Sequence, residues 1–544
     1  MPRPRRLPLR ALLTLLLAAA FAAAGAGSAS ASSTQLTILQ DQVHVFSDPV
    51  GTMATLRSLG VNEVRIFLPW GSVAPDPTSH TRPSGFNATD PGAYPAIGWA
   101  PYDAAVLAAG ADGIGVYFDF TGAVPLWASG HVGRGVGAHN AYVYEPSAHQ
   151  FGEFVRAVGK RYGGSYTPQG ATSPLPKVRF WGIWNEPNYG PDLQPQAIRG
   201  VEVSPSVYRG LLDAAWSGLH ATGHGSDTIL IGETAPRGAS KPRVENGMVP
   251  LRFLRALYCV GSSYQQLRGN AASARDCPRS ASGSRRFRAQ NPGLFQASGF
   301  ADHMYTSGQV SRPNLRTPSY EHGYAGLADL GNLEVALNRV YTAYGSHKKI
   351  PIYNTEFGFQ TNPPKPECGC VFLSPTTAAY YMNWSEYMMW KDPRVRSDSQ
   401  YLLYDGAVPG NANESSFSSG LIFATGTPKP GYDAFRLPLY LPTTSARPGH
   451  SLTVWGGVRP APFAKQATGS PQQVQIQFQP SSGGQWTTVR TVTITNSAGY
   501  FEAHVILPSS GSVVLQWTYP PTFSFLPIGT PAVVDSRIQT IRVS

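Results

Sequence analysis

The 544-residue chain contains four cysteines and, past its N-terminus, no run of about twenty uninterrupted apolar residues. No later segment therefore reads as a membrane helix. Also missing are a Gly-x-x-x-x-Gly-Lys phosphate loop, a His-Glu-x-x-His metal pair and a Gly-x-Ser-x-Gly nucleophile elbow. Without those signals, nucleotide hydrolysis, zinc proteolysis and serine esterase chemistry have no motif here. No cofactor is expected, and no nucleic-acid reader motif is visible. The cysteines, Cys259, Cys277, Cys368 and Cys370, allow three pairings. Pairing Cys259 with Cys277 closes a short loop and leaves Cys368 with Cys370. Cys-Gly-Cys alone is too small a ligand set for structural zinc, so disulfides are favoured over metal.

What is present begins with "MPRPRRLPLRALLTLLLAAAFAAAGAGSASASS". Four arginines, an apolar run and Ala-Ser-Ala at 29–31 follow the order of a secretory signal peptide over residues 1–31. Left uncleaved, the same apolar run would serve as an anchor. Secretion is the expectation, and it permits disulfides. The formal charge of +11 falls to +7 once those arginines are removed. Between Arg237 and Gln290, eleven Lys/Arg face only Glu245 and Asp276, a local +9. Segment 237–290 is thus a candidate contact for an acidic polymer or a cell surface, beside the plainer reading of a solvated basic face.

From 34 to 440, eight short apolar runs alternate with helical patterns. The runs are "QLTIL" to "VHVFS", "VNEVRIFLPW", "GIGVYFDF", "VRFWGIWNE", "TILIGET", "GFADHMYT", "IPIYNTEFGF" and "SQYLLYD". Nearly continuous apolar strands between helices are expected of a parallel sheet buried on both faces. Eight of them read as an α/β fold, the (β/α)8 TIM barrel. After "RLPLYLPTTSARPG", a candidate linker, short alternating strands with Gly, Pro, Ser and Asn between them read as an all-β sandwich without helix. The expected division is 32–441 for the barrel and 445–544 for the sandwich.

Residues at the C-terminal ends of barrel strands face the site. Those ends carry Arg65, Asp119, Asn185, Glu186, Glu233, His303, Tyr305, Glu356, Tyr404 and Asp405. Paired carboxylates across a barrel mouth suit glycosidic cleavage, where one must protonate the leaving oxygen and the other attack the anomeric carbon. Asp119 and Glu233 are read as sugar-hydroxyl binders or structural acceptors. Trp70 and Tyr404 are the expected sugar platforms, chosen over Trp127, Tyr189 and Phe359, because aromatic faces suit pyranose rings.

"WNEP" at 184–187, "TEFG" at 355–358, the strand-two Arg, "HMY" at 303–305 and "GLIFATGTPKPGYDAFR" resemble the large glycoside hydrolase clan built on (β/α)8 barrels. In that clan the catalytic glutamates stand on strands four and seven. The resemblance covers most of 34–440. It implies a retaining hydrolase of the cellulase or β-xylosidase type, with Glu186 as acid/base, Glu356 as nucleophile and Asn185 on the sugar 2-hydroxyl. Arg65 and Tyr305 would then support Glu356, with His303 beside them. The strand-eight Trp usual in several of its families is missing, and Tyr404 stands near that place. The substrate expected is an oligo- or polysaccharide of plant or microbial origin. A transglycosylase on the same residues and a non-catalytic glycan-binding protein are the alternatives.

Overall fold

The computed structural model describes residues 32, 34–131, 138–317, 323–408, 411–523 and 530–544. The signal-peptide reading falls on residues 1–31, outside the described residues. Among the described residues no helix is long and apolar enough to cross a membrane.

Eight strands form one parallel sheet: β1 (Leu36–Gln40), β2 (Glu63–Pro69), β3 (Gly115–Thr121), β4 (Phe180–Ile183), β5 (Thr228–Thr234), β6 (Gly299–Asp302), β7 (Ile352–Asn354) and β8 (Ser397–Tyr401). From β1 to β7 each strand pairs with the next, and β8 pairs with β1. A parallel bridge from Ile352 to Val395, just before β8, closes the ring into the expected barrel. Helices α1 (Pro49–Leu59), α2 (Ala96–Asp112), α3 (Ala148–Arg161), α4 (Ser204–Ala221), α5 (Pro250–Leu257), α6 (Leu330–Ala343), α7 (Pro375–Lys391) and α8 (Pro430–Arg436) follow the strands in turn. In α3, Phe151, Phe154, Val155 and Val158 are fully buried, the one-face spacing of an amphipathic helix. Ser147 caps its start by accepting from the Gln150 amide.

Three local expectations are corrected. "VHVFS", read as part of the first strand, lies in a helix, Gln42–Ser47, whose start Asp41 caps by accepting from the His44 amide. The C-terminal region contains a helix, α9 (Ala461–Thr468), between two of its strands. The segment read as a linker is structured: Leu439–Tyr440 pairs antiparallel with Trp455–Gly456, and Leu437, Leu439 and Leu441 are buried in the core of the β region.

That β region is a sandwich of two sheets. One orders Leu439–Tyr440, Ser451–Gly457 and Tyr500–Ile506; the other is built around Gly511–Thr518 and Gln473–Pro480. It packs on α7, where Trp384 stacks on Tyr440 at 6.0 Å, and Tyr387 and Trp390 meet Trp455 at 5.5 and 5.8 Å. Arg459 reaches from the sandwich into the N-terminal end of the barrel. It donates to Thr37 Oγ1 and Asp398 Oδ2, each at 2.7 Å, and lies 2.7 Å from Glu386 on α7. Gly60 ends α1 in the left-handed conformation (φ 80°), and a Cβ there would strike the Arg459 carbonyl. Only glycine meets both demands.

Both expected disulfides are present, Cys259–Cys277 and Cys368–Cys370.

Candidate active site

The barrel interior at the strands' C-terminal half is polar, and its organiser is Arg65 on β2, which is fully buried. Nη1 donates to Gln40 Oε1 at 2.6 Å and to Glu356 Oε2 at 2.7 Å. Nη2 donates to Asp119 Oδ2 at 2.7 Å, Asn185 Oδ1 at 2.9 Å and Glu233 Oε2 at 3.1 Å. A buried guanidinium is tolerable only with such paired, bonded partners. Burial opposes its charge, but Glu233, Asp119 and Glu356 outweigh that and raise its pKa further.

His303, at the end of β6, is the second cation. Nδ1 donates to Glu186 Oε1 at 2.8 Å and Nε2 to Glu233 Oε2 at 3.1 Å. Burial pulls its pKa down, yet Glu356 and the bonds to Glu186 and Glu233 raise it well above the ordinary imidazole range. Glu356 takes a second donor, the Tyr305 hydroxyl, on Oε1 at 2.9 Å. The side chains of Glu186 and Glu356 keep 17% and 14% exposure, while Arg65, Asp119, Glu233 and His303 have none. Two carboxylates thus reach solvent from a cluster that is otherwise sealed.

The backbone contributes to that aim. Trp184 (φ 70°) and Glu186 (φ 38°) are left-handed, as is Glu233 (φ 45°), uncommon for residues with a Cβ and frequent at functional sites. The Glu186 amide donates to the Glu233 carbonyl at 2.9 Å, which ties the end of β4 to that of β5. Oxygens of Glu186 and Glu356 and a ring nitrogen of His303 all lie within 4.8 Å of one another.

Such a His/carboxylate set has the donors for a cation. Here Arg65 already occupies one oxygen of Glu356, and His303 is itself driven towards the charged form. A metal ion would meet two cationic side chains, so the set does not fit one.

Asp119 and Glu233, read as sugar binders or structural acceptors, are fully buried and act as acceptors. Glu233 takes bonds from Arg65, His303, the Tyr117 hydroxyl and Thr355 Oγ1. Burial would raise its pKa, but Arg65 and His303 lower it overall. Asp119 is pushed up to about 8 by burial, against the pull of Arg65.

The aromatic expectations need correction. Trp70 has no exposure and is wedged among Trp127, Phe151 and Phe154. It is a core residue and offers no face to a sugar. Phe359 and Trp127 are also buried. Tyr404 is half-buried, stacked on His44 at 4.0 Å, and its amide donates to Asp41 Oδ2. The strand-eight aromatic facing the acids is instead Tyr401, the last residue of β8. It is half-buried, and burial followed by the charge of Glu356 raises its pKa. Tyr189 is 44% exposed, and its amide donates to the Glu186 carbonyl.

Asp192, Gln40, Tyr401 and Tyr117 were missed as site residues. Asp192 accepts from Asn185 Nδ2 at 3.3 Å, and burial, then Glu186, raises its carboxyl well above the usual range. Asn185 is therefore gripped at both ends of its amide, by Arg65 and by Asp192. Gln40 and Tyr401 end strands and were open to the strand-end rule. Asp192 lies in a loop without pattern.

Asp405, another strand-end candidate, is buried 2.6 Å from Lys429 Nζ, which also donates to Thr361 Oγ1 and the Ser418 carbonyl. It locks the loops after β7 and β8 together and is spent as a structural partner.

No protein-family model matches the sequence, and no curated protein matches it. Solved structures do resemble the fold. A family 39 glycoside hydrolase from Bacteroides cellulosilyticus WH2 aligns at TM-score 0.45 and 12% identity, over 88% of this chain and 82% of its own. A glucosidase from Croceicoccus marinus aligns at 0.43 and 10%, over 84% and 89%. An endo-beta-1,4-mannanase from Thermotoga petrophila aligns at 0.39 and 10%, over 94% and 98%. These structural neighbours are glycoside hydrolases, and at such identities the likeness concerns the fold.

Proposed function

We propose that the chain is a secreted, retaining glycoside hydrolase acting on an oligo- or polysaccharide. The observation that carries this reading is the approach of Glu186 and Glu356, with carboxylate oxygens within 4.8 Å at an otherwise closed cluster. Retaining enzymes hold their two carboxyl groups about 5–5.5 Å apart, whereas inverting ones leave about 6.5–9.5 Å for a water. Oxygens no more than 4.8 Å apart leave no room for that water, which supports the first case.

The roles follow from the partners. Arg65 and Tyr305 donate to the two oxygens of Glu356 and orient it as the attacking carboxylate. Among the described residues Glu186 has no arginine partner and is bonded by His303, so it is the less firmly held of the two and takes the acid/base role. In the first step an oxygen of Glu356 bonds to the anomeric carbon, the bond to the leaving oxygen breaks, and Glu186 delivers its proton there. Glu356 is then an ester without charge, and Glu186 is left as the carboxylate beside His303. Glu186 next takes a proton from water as that water's oxygen bonds to the anomeric carbon, and Glu356 leaves as the carboxylate. Asn185, fixed by Arg65 and Asp192, takes the role of binding the sugar hydroxyl beside the reacting carbon. Tyr401 and Tyr189 are the aromatic faces available to the substrate.

The test is a screen of the purified protein against a panel of aryl glycosides and polysaccharides. Cleavage of at least one by the native protein, lost in Glu186→Ala and Glu356→Gly alike, is expected for polysaccharides. Cleavage that survives in Glu356→Gly, or no cleavage across the panel, would sink the reading.

A further inference from the structure

The basic run 237–290 does not form one surface. Lys241 and Arg243 are exposed beside the loop that follows β4, where the Ala197 amide donates to the Arg243 carbonyl. Arg252 and Arg275 are both consumed by Glu202. Among the described residues, Arg255, Arg268 and Arg288 have no carboxylate within ion-pair distance. Of these, Arg268 lines a recess of about 570 Å³ elsewhere, whose walls also include Tyr264, Gln266, Asn338 and Arg339. No Asp or Glu lines it. Helix α6 ends at this recess and leads into β7, so the recess lies towards the barrel's N-terminal end, away from the mouth.

The recess is built. The Cys259–Cys277 bridge staples the loop that forms one wall. Tyr264 holds a left-handed backbone (φ 61°) at the tip, where the Gly261 amide donates to the Gln265 carbonyl at 2.9 Å. The guanidinium groups of Arg255 and Arg339 lie 5.8 and 5.3 Å from the centre of the Tyr264 ring, close enough for cation–π attraction to hold them there. Arg268 is fixed by donating from Nη1 to Ser284 Oγ at 2.6 Å and the Leu267 carbonyl at 2.8 Å, and from Nη2 to Gln266 Oε1 at 2.5 Å, which leaves Nε–H and one Nη2 proton for a ligand. Gln266 donates to the Ala343 carbonyl at 2.7 Å. Guanidinium groups arranged in advance lose less entropy on meeting a carboxylate and can bind it with two parallel bonds.

We propose that this recess is a second, non-catalytic carbohydrate site that takes an acidic glycan. Arg268 and Arg339 pair with successive uronate carboxylates, and the amides of Gln265 and Asn338 take hydroxyls. The partner class rests on the glycan-cleaving reading above; the binding itself needs no catalysis, so it stands or falls separately.

The experiment is affinity electrophoresis of the full chain in gels containing polygalacturonate, with neutral galactan, polyphosphate and anionic phospholipid vesicles as comparisons. Native protein is expected to be retarded by polygalacturonate and not by galactan. Arg268→Gln/Arg339→Gln should weaken that binding about tenfold or more, while Lys241→Gln/Arg243→Gln, with the same loss of charge, should stay within about twofold. Arg339→Gln alone touches no structural bond of Arg268 and should weaken binding about threefold. Equal losses in the two double variants would mean bulk charge and overturn the site. So would retention by galactan, or binding to polyphosphate or vesicles as strong as to polygalacturonate. Aryl glycoside cleavage is expected to be unchanged in all three variants.

Discussion

Two buried arginines sit at opposite ends of this barrel and were solved differently. Arg65, in the half facing the mouth, meets Asp119, Glu233 and Glu356, with His303 as a second cation. Arg459, under the floor, meets Glu386 and Asp398. Each cluster holds more acids than bases, and such a surplus cannot stay charged in a low-dielectric interior. At the floor everything is closed, and the surplus is relieved by a proton: burial pushes Glu386 up to about 8 and raises Asp398 as well. At the mouth burial likewise pushes Asp119 up to about 8, but two of the remaining acids, Glu186 and Glu356, reach solvent. The same ionic chemistry therefore serves packing where it is sealed and is left available for reaction where it is open.

The sharpest way to break this contrast is at the mouth. Glu356→Gly should lower kcat/KM for aryl glycosides by about 10⁴-fold or more while the protein stays folded. Azide should restore turnover and give a glycosyl azide of inverted anomeric configuration. Little loss, or no rescue, would mean that Glu356 is a structural acceptor like Asp398.

At the floor the expected loss is of stability. Arg459→Met strands two buried carboxyls and should cost about 3–5 kcal/mol of unfolding free energy, read by denaturant titration, with kcat of the folded fraction unchanged. Arg65→Met should abolish activity even in the folded fraction. Equal behaviour of the two variants would erase the distinction.

Glu233 lies between the extremes, buried like the floor but bonded to the mouth's two cations. As a positioning residue it should tolerate Glu233→Gln with a kcat loss of about 10–100-fold, roughly 1–3 kcal/mol, and a nearly unchanged KM. Its pH–rate profile should shift as His303 loses a carboxylate. A rise in KM alone would place Glu233 in substrate binding instead.

The smallest effect is the pH dependence of stability. Folded Asp119, at about 8 against an ordinary 3.8, and folded His303, raised above 6.5, hold protons that the unfolded chain releases at neutral pH. Stability from these groups should fall as pH rises through about 8. Glu233 raises both pKa values, so in Glu233→Gln the fall in Tm should be shallower and end at lower pH. Parallel Tm curves for the two proteins would contradict the linkage.

Much of the mouth was legible because its signals are local. A Glu that follows an apolar strand run stands at a strand end, which brought out Glu186 and Glu356 together with Asp119 and Glu233; the resemblance of "WNEP" and "TEFG" singled out the first two. The strand-end rule also named Arg65, Asn185, His303 and Tyr305, which the structure brings into one cluster with them. It failed at Trp70, since a large aromatic next to a strand end reads the same whether it faces the mouth or the surrounding helices. It failed at Tyr401 because β8 stops three residues before Tyr404, and element ends are poorly marked in sequence. The floor was nearly invisible. Arg459 bonds Thr37 from 422 residues away, and nothing in "GGVRPAP" announces that contact. The expected linker at 436–449 was misjudged because Pro and Ser mark turns without saying what their neighbours pack against.

The central claim is that Glu186 and Glu356 act as a double-displacement pair, and the anomeric configuration of the first-formed product tests it most directly. A glycoside that the native protein cleaves should be followed by ¹H NMR from the first minutes, before mutarotation mixes the anomers. The account predicts a product with the configuration of the substrate. A first-formed sugar of the opposite configuration would contradict it.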